Sequence, residues 1–173
     1  MRILALFVTF SFSAMAFSGE LITGQQPPSL ALAGVQGARL NGESWSSSEL
    51  KGAMTSLFYI DPDERELNEP LEIAYKKEKF PFDKHRSVAI INMDATWLPN
   101  SMIAGKLKLK QKEFPETVYV KDLKKTLVSE WGLKDDSVNL VIFDREGKVA
   151  YVKRGPVNEA DITEIMGIVR NGL

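Results

Sequence analysis

Four carboxylates fall within six positions: Asp61, Asp63, Glu64 and Glu66. They follow an apolar, β-prone run, Met54 to Ile60, that reads as a buried strand with a loop at its C-terminal end. In an open α/β sheet, the C-terminal ends of the strands face the starts of the following helices, and chemistry usually sits there. Acids so placed could hold a hard cation through their oxygens, or do acid–base work if a cleft perturbs their pKa values. The plain structural reading is that they cap a helix and complement its dipole. The run lacks the ligand spacing of a calcium loop, so no metal is expected there.

A second group lies after the next apolar run, Ser87 to Met93. Asn92 lies at the end of that strand, and Asp94 and Trp97 follow it. A carboxylate beside an aromatic suits a small binding cleft. The alternative is a loop acid and an indole packed on the sheet rim, since Trp is usually largely buried. The candidate binding residues are therefore Asp61, Asp63, Glu64, Arg65, Asn92, Asp94 and Trp97, with no catalytic residue assigned.

Other chemistries lack their parts. The chain has no cysteine, so no thiolate is available to attack a disulfide or hold a soft metal. His85 is the sole histidine and stands among Asp83, Lys84 and Arg86; a loop residue is expected. No nucleophile elbow, phosphate loop or dinucleotide fingerprint occurs, and no cofactor is expected. Lys106, Lys108, Lys110 and Lys112 alternate with Leu107 and Leu109. They could form a basic groove for an acidic partner or anionic lipid. On a helix they fan around the axis, which favours a solvated surface.

The elements that must carry these residues are legible in order. Leu30 to Leu32 and Gly37 to Leu40 read as short strands around a turn at Gly34–Gly37, an N-terminal hairpin. After the Met54–Ile60 strand, Leu67, Leu71, Ala74 and Tyr75 recur at helical spacing, with Pro70 in the first turns. The Ser87–Met93 strand leads to a helix over Asn100 to Glu113. Thr117 to Val120 is a third strand, and Leu123 to Trp131 a helix stopped by Gly132. Asn139 to Phe143 turns through Asp144–Gly147 into Lys148 to Lys153. Asn158 caps a last helix with an Ile162, Ile165, Met166 and Val169 stripe. Strands alternating with helices imply an α/β fold: a central mixed sheet flanked by helices, with an N-terminal β-hairpin extension.

The N-terminus reads as an export signal. Arg2 precedes an apolar run, Ile3 to Phe12, too short to span a bilayer. Ser13-Ala14-Met15-Ala16 then supplies a small-x-small cleavage pattern, predicting a cut after Ala16, with Ser18 as the alternative. This divides the chain into a leader, 1–16, and one domain, 17–173. Lacking a cysteine after the apolar run, it does not read as a lipoprotein. The mature form, without a transmembrane segment, is expected in the periplasm if the source is Gram-negative. A net charge of −1 across 173 residues argues against a nucleic-acid binder or a polybasic membrane protein.

Several strings carry a family resemblance. Gly24-Gln25-Gln26-Pro27-Pro28, Ser48-Glu49-Leu50-Lys51-Gly52, Trp131-Gly132-Leu133 and Val141 to Val149 stand in the order and spacing of the thioredoxin-like fold of secreted thiol reductases and peroxiredoxins. Ile91-Asn92-Met93-Asp94, Lys108 to Phe114 and Leu140 to Val149 resemble the YtfJ-type family of bacterial periplasmic proteins. The resemblance implies a signal peptide, a thioredoxin-like domain and no established activity. It places Pro62 and Arg65 where the fold carries its two thiols. It places Val138 where the fold carries a cis-proline, and a trans bond is expected there because a non-proline cis bond costs about 3–4 kcal/mol. The expected function is a non-redox module binding a periplasmic protein, peptide or small ligand. The alternative is a thiol-independent enzyme using the Asp61 to Glu66 and Asp94 edge.

Overall fold

The computed structural model describes residues 19–173. The expected leader and its cut after Ala16 lie outside them. The strands are β1 (Ala31–Leu32), β2 (Gly37–Arg39), β3 (Trp45–Ser46), β4 (Met54–Ile60), β5 (His85–Asn92), β6 (Val118–Asp122), β7 (Val138–Phe143) and β8 (Val149–Arg154). The α-helices are α1 (Glu69–Glu78), α2 (Asn100–Glu113), α3 (Thr126–Trp131) and α4 (Glu159–Gly172).

Six strands form one sheet in the order β2-β6-β5-β4-β7-β8. The β4, β5 and β6 strands run parallel, whereas β7, β8 and β2 pair antiparallel to their neighbours. This is the mixed α/β sheet expected from the residue pattern. β4 and β7 sit centrally because their apolar runs are covered on both faces; all of β7 is buried. Leu57, Tyr59, Ile90, Val120, Val141 and Phe143 face a core closed by Trp45, Leu50, Leu127 and Trp131. On the other face, Phe58, Leu140 and Ile142 pack with Leu71 of α1 and Ile165, Met166 and Val169 of α4. Ala89, Ile91 and Tyr119 pack beneath Ile103 and Leu107 of α2. Among the described residues no helix is long and apolar enough to cross a membrane.

The N-terminal strand pair is present, with partners set by the tertiary fold. β1 pairs with β3 through Leu32 and Trp45. β2, expected to turn back on β1, lies along β6 instead, with Gly37 opposite Asp122. That contact needs a residue without a side chain, because a Cβ at position 37 would meet the Lys121 carbonyl oxygen at 2.1 Å. Gly37→Ala is therefore expected to detach β2 and cost about 2 kcal/mol or more, read as a fall in thermal-melt midpoint. The preceding chain is tied down too. Gly24 N–H donates to the Val149 carbonyl, and Val149 N–H to that of Gln25, both at 2.8 Å. The Trp131 indole N–H donates to Pro28 O at 3.0 Å.

Two helix starts show local logic. Asn158 Oδ1 accepts the Asp161 N–H, and Asp161 Oδ2 accepts the Asn158 N–H, each at 2.9 Å, closing the expected cap of α4 as a reciprocal box. α3 begins at Thr126, three residues later than expected. Lys125 at its boundary is left-handed (φ 52°), and residues 123–125 turn around the Asp122 carboxylate.

Candidate functional site at the C-terminal ends of the parallel strands

The three parallel strands end side by side. Asn92, last in β5, is in register with Asp122, last in β6, and Asp61 directly follows β4. All three are buried. A buried carboxylate or amide needs hydrogen-bond partners to offset lost hydration, and each has some. Asp122 Oδ2 accepts the Tyr59 hydroxyl at 3.1 Å and the Leu127 N–H at 3.0 Å; its Oδ1 accepts the Lys124 N–H at 3.1 Å. It thereby links strand β4 to the first turn of α3. Burial, and then the adjacent Asp122 carboxylate, hold the Tyr59 phenol well above its ordinary range.

Asn92 belongs to a second group beside that of Asp122. Its Nδ2 donates to Asp135 Oδ1 at 2.9 Å, and Lys125 Nζ donates to Asp135 Oδ2 at 2.6 Å. Burial pushes the Asp135 carboxyl upward, but the Lys125 ammonium and further hydrogen bonds outweigh it, so the net displacement is downward. Lys125 is shifted up by the same bond. Two residues of this cluster, Lys125 and Asp136, hold left-handed backbones at φ 52° and 46°, a cost that neighbouring contacts must offset. Asn92 Oδ1 is buried and accepts nothing from the described residues.

The acidic run after β4 does not converge. Asp61 Oδ1 accepts the Asp63 N–H at 2.9 Å, and its own N–H donates to Ser137 O at 3.0 Å. Burial raises its carboxyl pKa. Asp63, Arg65 and Glu66 are exposed and Glu64 half-buried, so these side chains turn outward along the loop and 3-10 turn leading to α1. Pro62 and Arg65 stand on that same segment, with α1 beginning at Glu69 and Pro70 in its first turn. Among the described residues no group of three or more Asp, Glu and His is spaced to hold a metal ion. Asp94 is exposed, and Trp97 does not pack on the rim: it is 86 % exposed. The bond preceding Val138 is trans.

The structure thus brings Asp61 and Asn92 together with Tyr59, Asp122, Lys125 and Asp135, which sequence reasoning missed. One signal was available for Asp122: an acid just ahead of a helical pattern is a capping residue. The arrangement is two adjacent hydrogen-bonded groups, buried at Asn92 and Asp122 and half-buried at Lys125 and Asp135. An open recess of about 410 Å³ lies at the opposite ends of the strands, bounded by Arg39, Trp45, Glu49 and Arg86.

His85 corrects an expectation. It opens β5 and is buried. Its Nε2 lies 3.0 Å from Ser56 Oγ, which is itself 2.7 Å from the Tyr75 hydroxyl. The imidazole packs against the Tyr75 and Phe80 rings, with centroids 5.6 and 5.1 Å away. Its charged sequence neighbours suggested a loop, but α1 and Phe80 cover it. Ser56 is fully buried, so this pair ties α1 to the sheet instead of presenting a nucleophile. Burial pulls the His85 pKa down to about 4, leaving the ring neutral.

Comparison with known proteins agrees with the fold. Residues 31–172 match the family model described as "Bacterial protein of unknown function (YtfJ_HI0045)". The chain is 24% identical over 165 residues to the uncharacterized protein YtfJ of Escherichia coli (strain K12), covering 90% of this chain and 89% of that one. It is 29% identical over 181 residues to an uncharacterized protein of Haemophilus influenzae, covering 99% and 97%. Among solved structures it is similar to a thiol peroxidase from Chromobacterium violaceum, with TM-score 0.62, 13% identity and 89% of each chain covered. A thiol-disulfide isomerase from Corynebacterium glutamicum aligns with TM-score 0.57 and 17% identity over 79% of this chain and 92% of that one. These structural likenesses establish a thioredoxin-like fold.

Proposed function

Because this chain belongs to the YtfJ family and has a thioredoxin-like fold without cysteine, we propose that it is an exported, non-redox binding module that takes a protein, peptide or small ligand at the C-terminal edge of its parallel strands. One observation carries the reading. The edge where thiol chemistry would sit is occupied by anchored polar groups, Asp61, Asn92, Asp122 and Asp135, and Asn92 Oδ1 is buried there without a hydrogen-bond partner among the described residues. In this reading Asp63, Glu64, Arg65, Asp94 and Trp97, exposed or half-buried on the adjoining loops, supply adaptable contacts. Fixed backbone with exposed polar tips suits recognition. The charge on Arg2, the apolar run to Phe12 and the Ser13–Ala16 pattern support export to the periplasm.

Affinity capture from periplasmic extract should recover the same partner repeatedly with wild type and lose it with Asp61→Ala or Asn92→Ala. Recovery of nothing, or of the same set with both variants, rejects the edge as the site. Insulin-reduction assays should show no activity above buffer. Intact mass of the periplasmic protein should show residues 1–16 missing; a retained Met1 rejects cleavage.

The enzyme alternative has one feature in its favour, the raised Asp61 carboxyl. A hydrolase screen separates the readings: activity lost in Asp61→Ala and Asp94→Ala would establish an acid–base role.

A further inference from the structure

The outward face of α2 combines exposed apolar side chains with lysines. Met102 and Leu109, seven residues and about 10 Å apart along one stripe, are 50 % and 66 % exposed. Trp97, in the loop entering the helix, is 86 % exposed. Lys106 lies between Met102 and Leu109 on the stripe, Lys112 lies beside it, and Lys108 stands further round the helix on the same side. None of these three lysines has a carboxylate within 4 Å among the described residues, whereas Lys110 pairs with Glu72 at 3.7 Å. The single acid of the helix, Glu113, stands on the same stripe one turn after Leu109 and is engaged by Lys76 at 3.7 Å. Asp94 is the one acid in the loop before the helix. Ile103 and Leu107 on the opposite side bury against the sheet, so the stripe cannot turn inward.

We propose that this face, with Trp97, docks the protein on an anionic lipid surface. The apolar side chains stand on a convex helix rather than in a groove. That shape suits a flat, deformable layer better than a fitted protein epitope. Indole rings favour the headgroup region. Lysine stems lie along the apolar boundary while their ammonium groups reach the phosphates. The unpaired lysines supply the charge complementarity, and binding is peripheral and reversible because only three apolar side chains enter. The helix stripe is separate from the strand-end polar groups and Trp97 is the residue the two readings share; the Lys106 and Lys112 variants probe this docking, and Asp61→Ala and Asn92→Ala probe the strand ends.

The test uses the mature chain and vesicles of phosphatidylglycerol mixed with phosphatidylcholine, against pure phosphatidylcholine. Trp45 and Trp131 are buried, so Trp97 supplies the environment-sensitive emission. Anionic vesicles should sediment the protein and shift that emission to the blue, and high salt should reverse both. The charge-reversed K106E/K112E double variant should weaken partition by at least about tenfold, and Leu109→Ser by several-fold, with unchanged thermal melts because all three positions are exposed. No emission shift, equal binding to neutral vesicles, or undiminished binding by K106E/K112E would overturn the proposal. A response to poly-glutamate with none to vesicles would also overturn it and assign the face to an acidic protein.

Discussion

Asp122→Ala is expected to lower unfolding free energy by about 4 kcal/mol, among the larger losses a single change produces. The carboxylate is fully buried and accepts three hydrogen bonds, from Tyr59, Lys124 and Leu127. Removing it strands a phenolic O–H and two backbone N–H groups away from water, each costing about 1–3 kcal/mol when left unpaired. Tyr59→Phe deletes one donor and leaves the other two bonds intact, so about 1 kcal/mol is expected from it. The double variant should cost much less than the sum, because the stranded hydroxyl is gone. Urea unfolding of the four proteins measures this directly. A loss below about 1 kcal/mol for Asp122→Ala would mean that the cap does not hold α3 to the sheet.

Acid should destabilise the protein through His85. Burial lowers its folded pKa to about 4 from the ordinary 6.5. Its neighbours are Ser56, Tyr75 and Phe80, none of which carries negative charge to support an imidazolium. The unfolded chain therefore binds a proton near pH 6.5 that the folded chain refuses. The stabilising difference is complete above pH 6.5, declines as the pH drops, and is fully gone below about 4. Across that window the loss amounts to about 3 kcal/mol. Urea midpoints followed from neutral to acid pH should fall more steeply for wild type than for His85→Gln, which keeps a polar group near Ser56 but cannot charge. Parallel slopes for the two proteins would refute the assignment.

Much of the architecture is legible because it rests on local pattern. The runs at Met54–Ile60 and Asn139–Phe143 are apolar on both faces, and only a central strand uses such a run. Asn158 and Asp161 announce α4 by spacing alone. The candidate site is less legible because its partners come from distant segments. Asp122 meets Tyr59 across 63 positions of chain, and Asn92 meets Asp135 across 43; neither pairing leaves a periodicity. Asp61 and Asn92 could be placed at strand ends, but whether the acids beside them converge depends on where the loop before α1 turns. His85 fails for a related reason: its neighbours report the chain's polarity, while its burial is decided by Phe80 and Tyr75. β2 is three residues long and its partner lies some eighty positions away, too little sequence to encode that choice.

The way residues 24–25 lie against Val149 bears on how this protein survives at high concentration. An uncovered outer strand invites a second molecule to continue the ladder, which is the first step toward fibrils. Here Val149 has both its backbone groups occupied by Gly24 and Gln25, and Lys153 and Arg154 put charge at the far end of that strand. The opposite margin ends in a strand too short to serve as a template. Residues 24–25 thus close the ladder at Val149, and trimming past Gln25 is expected to raise the tendency of the protein to stack.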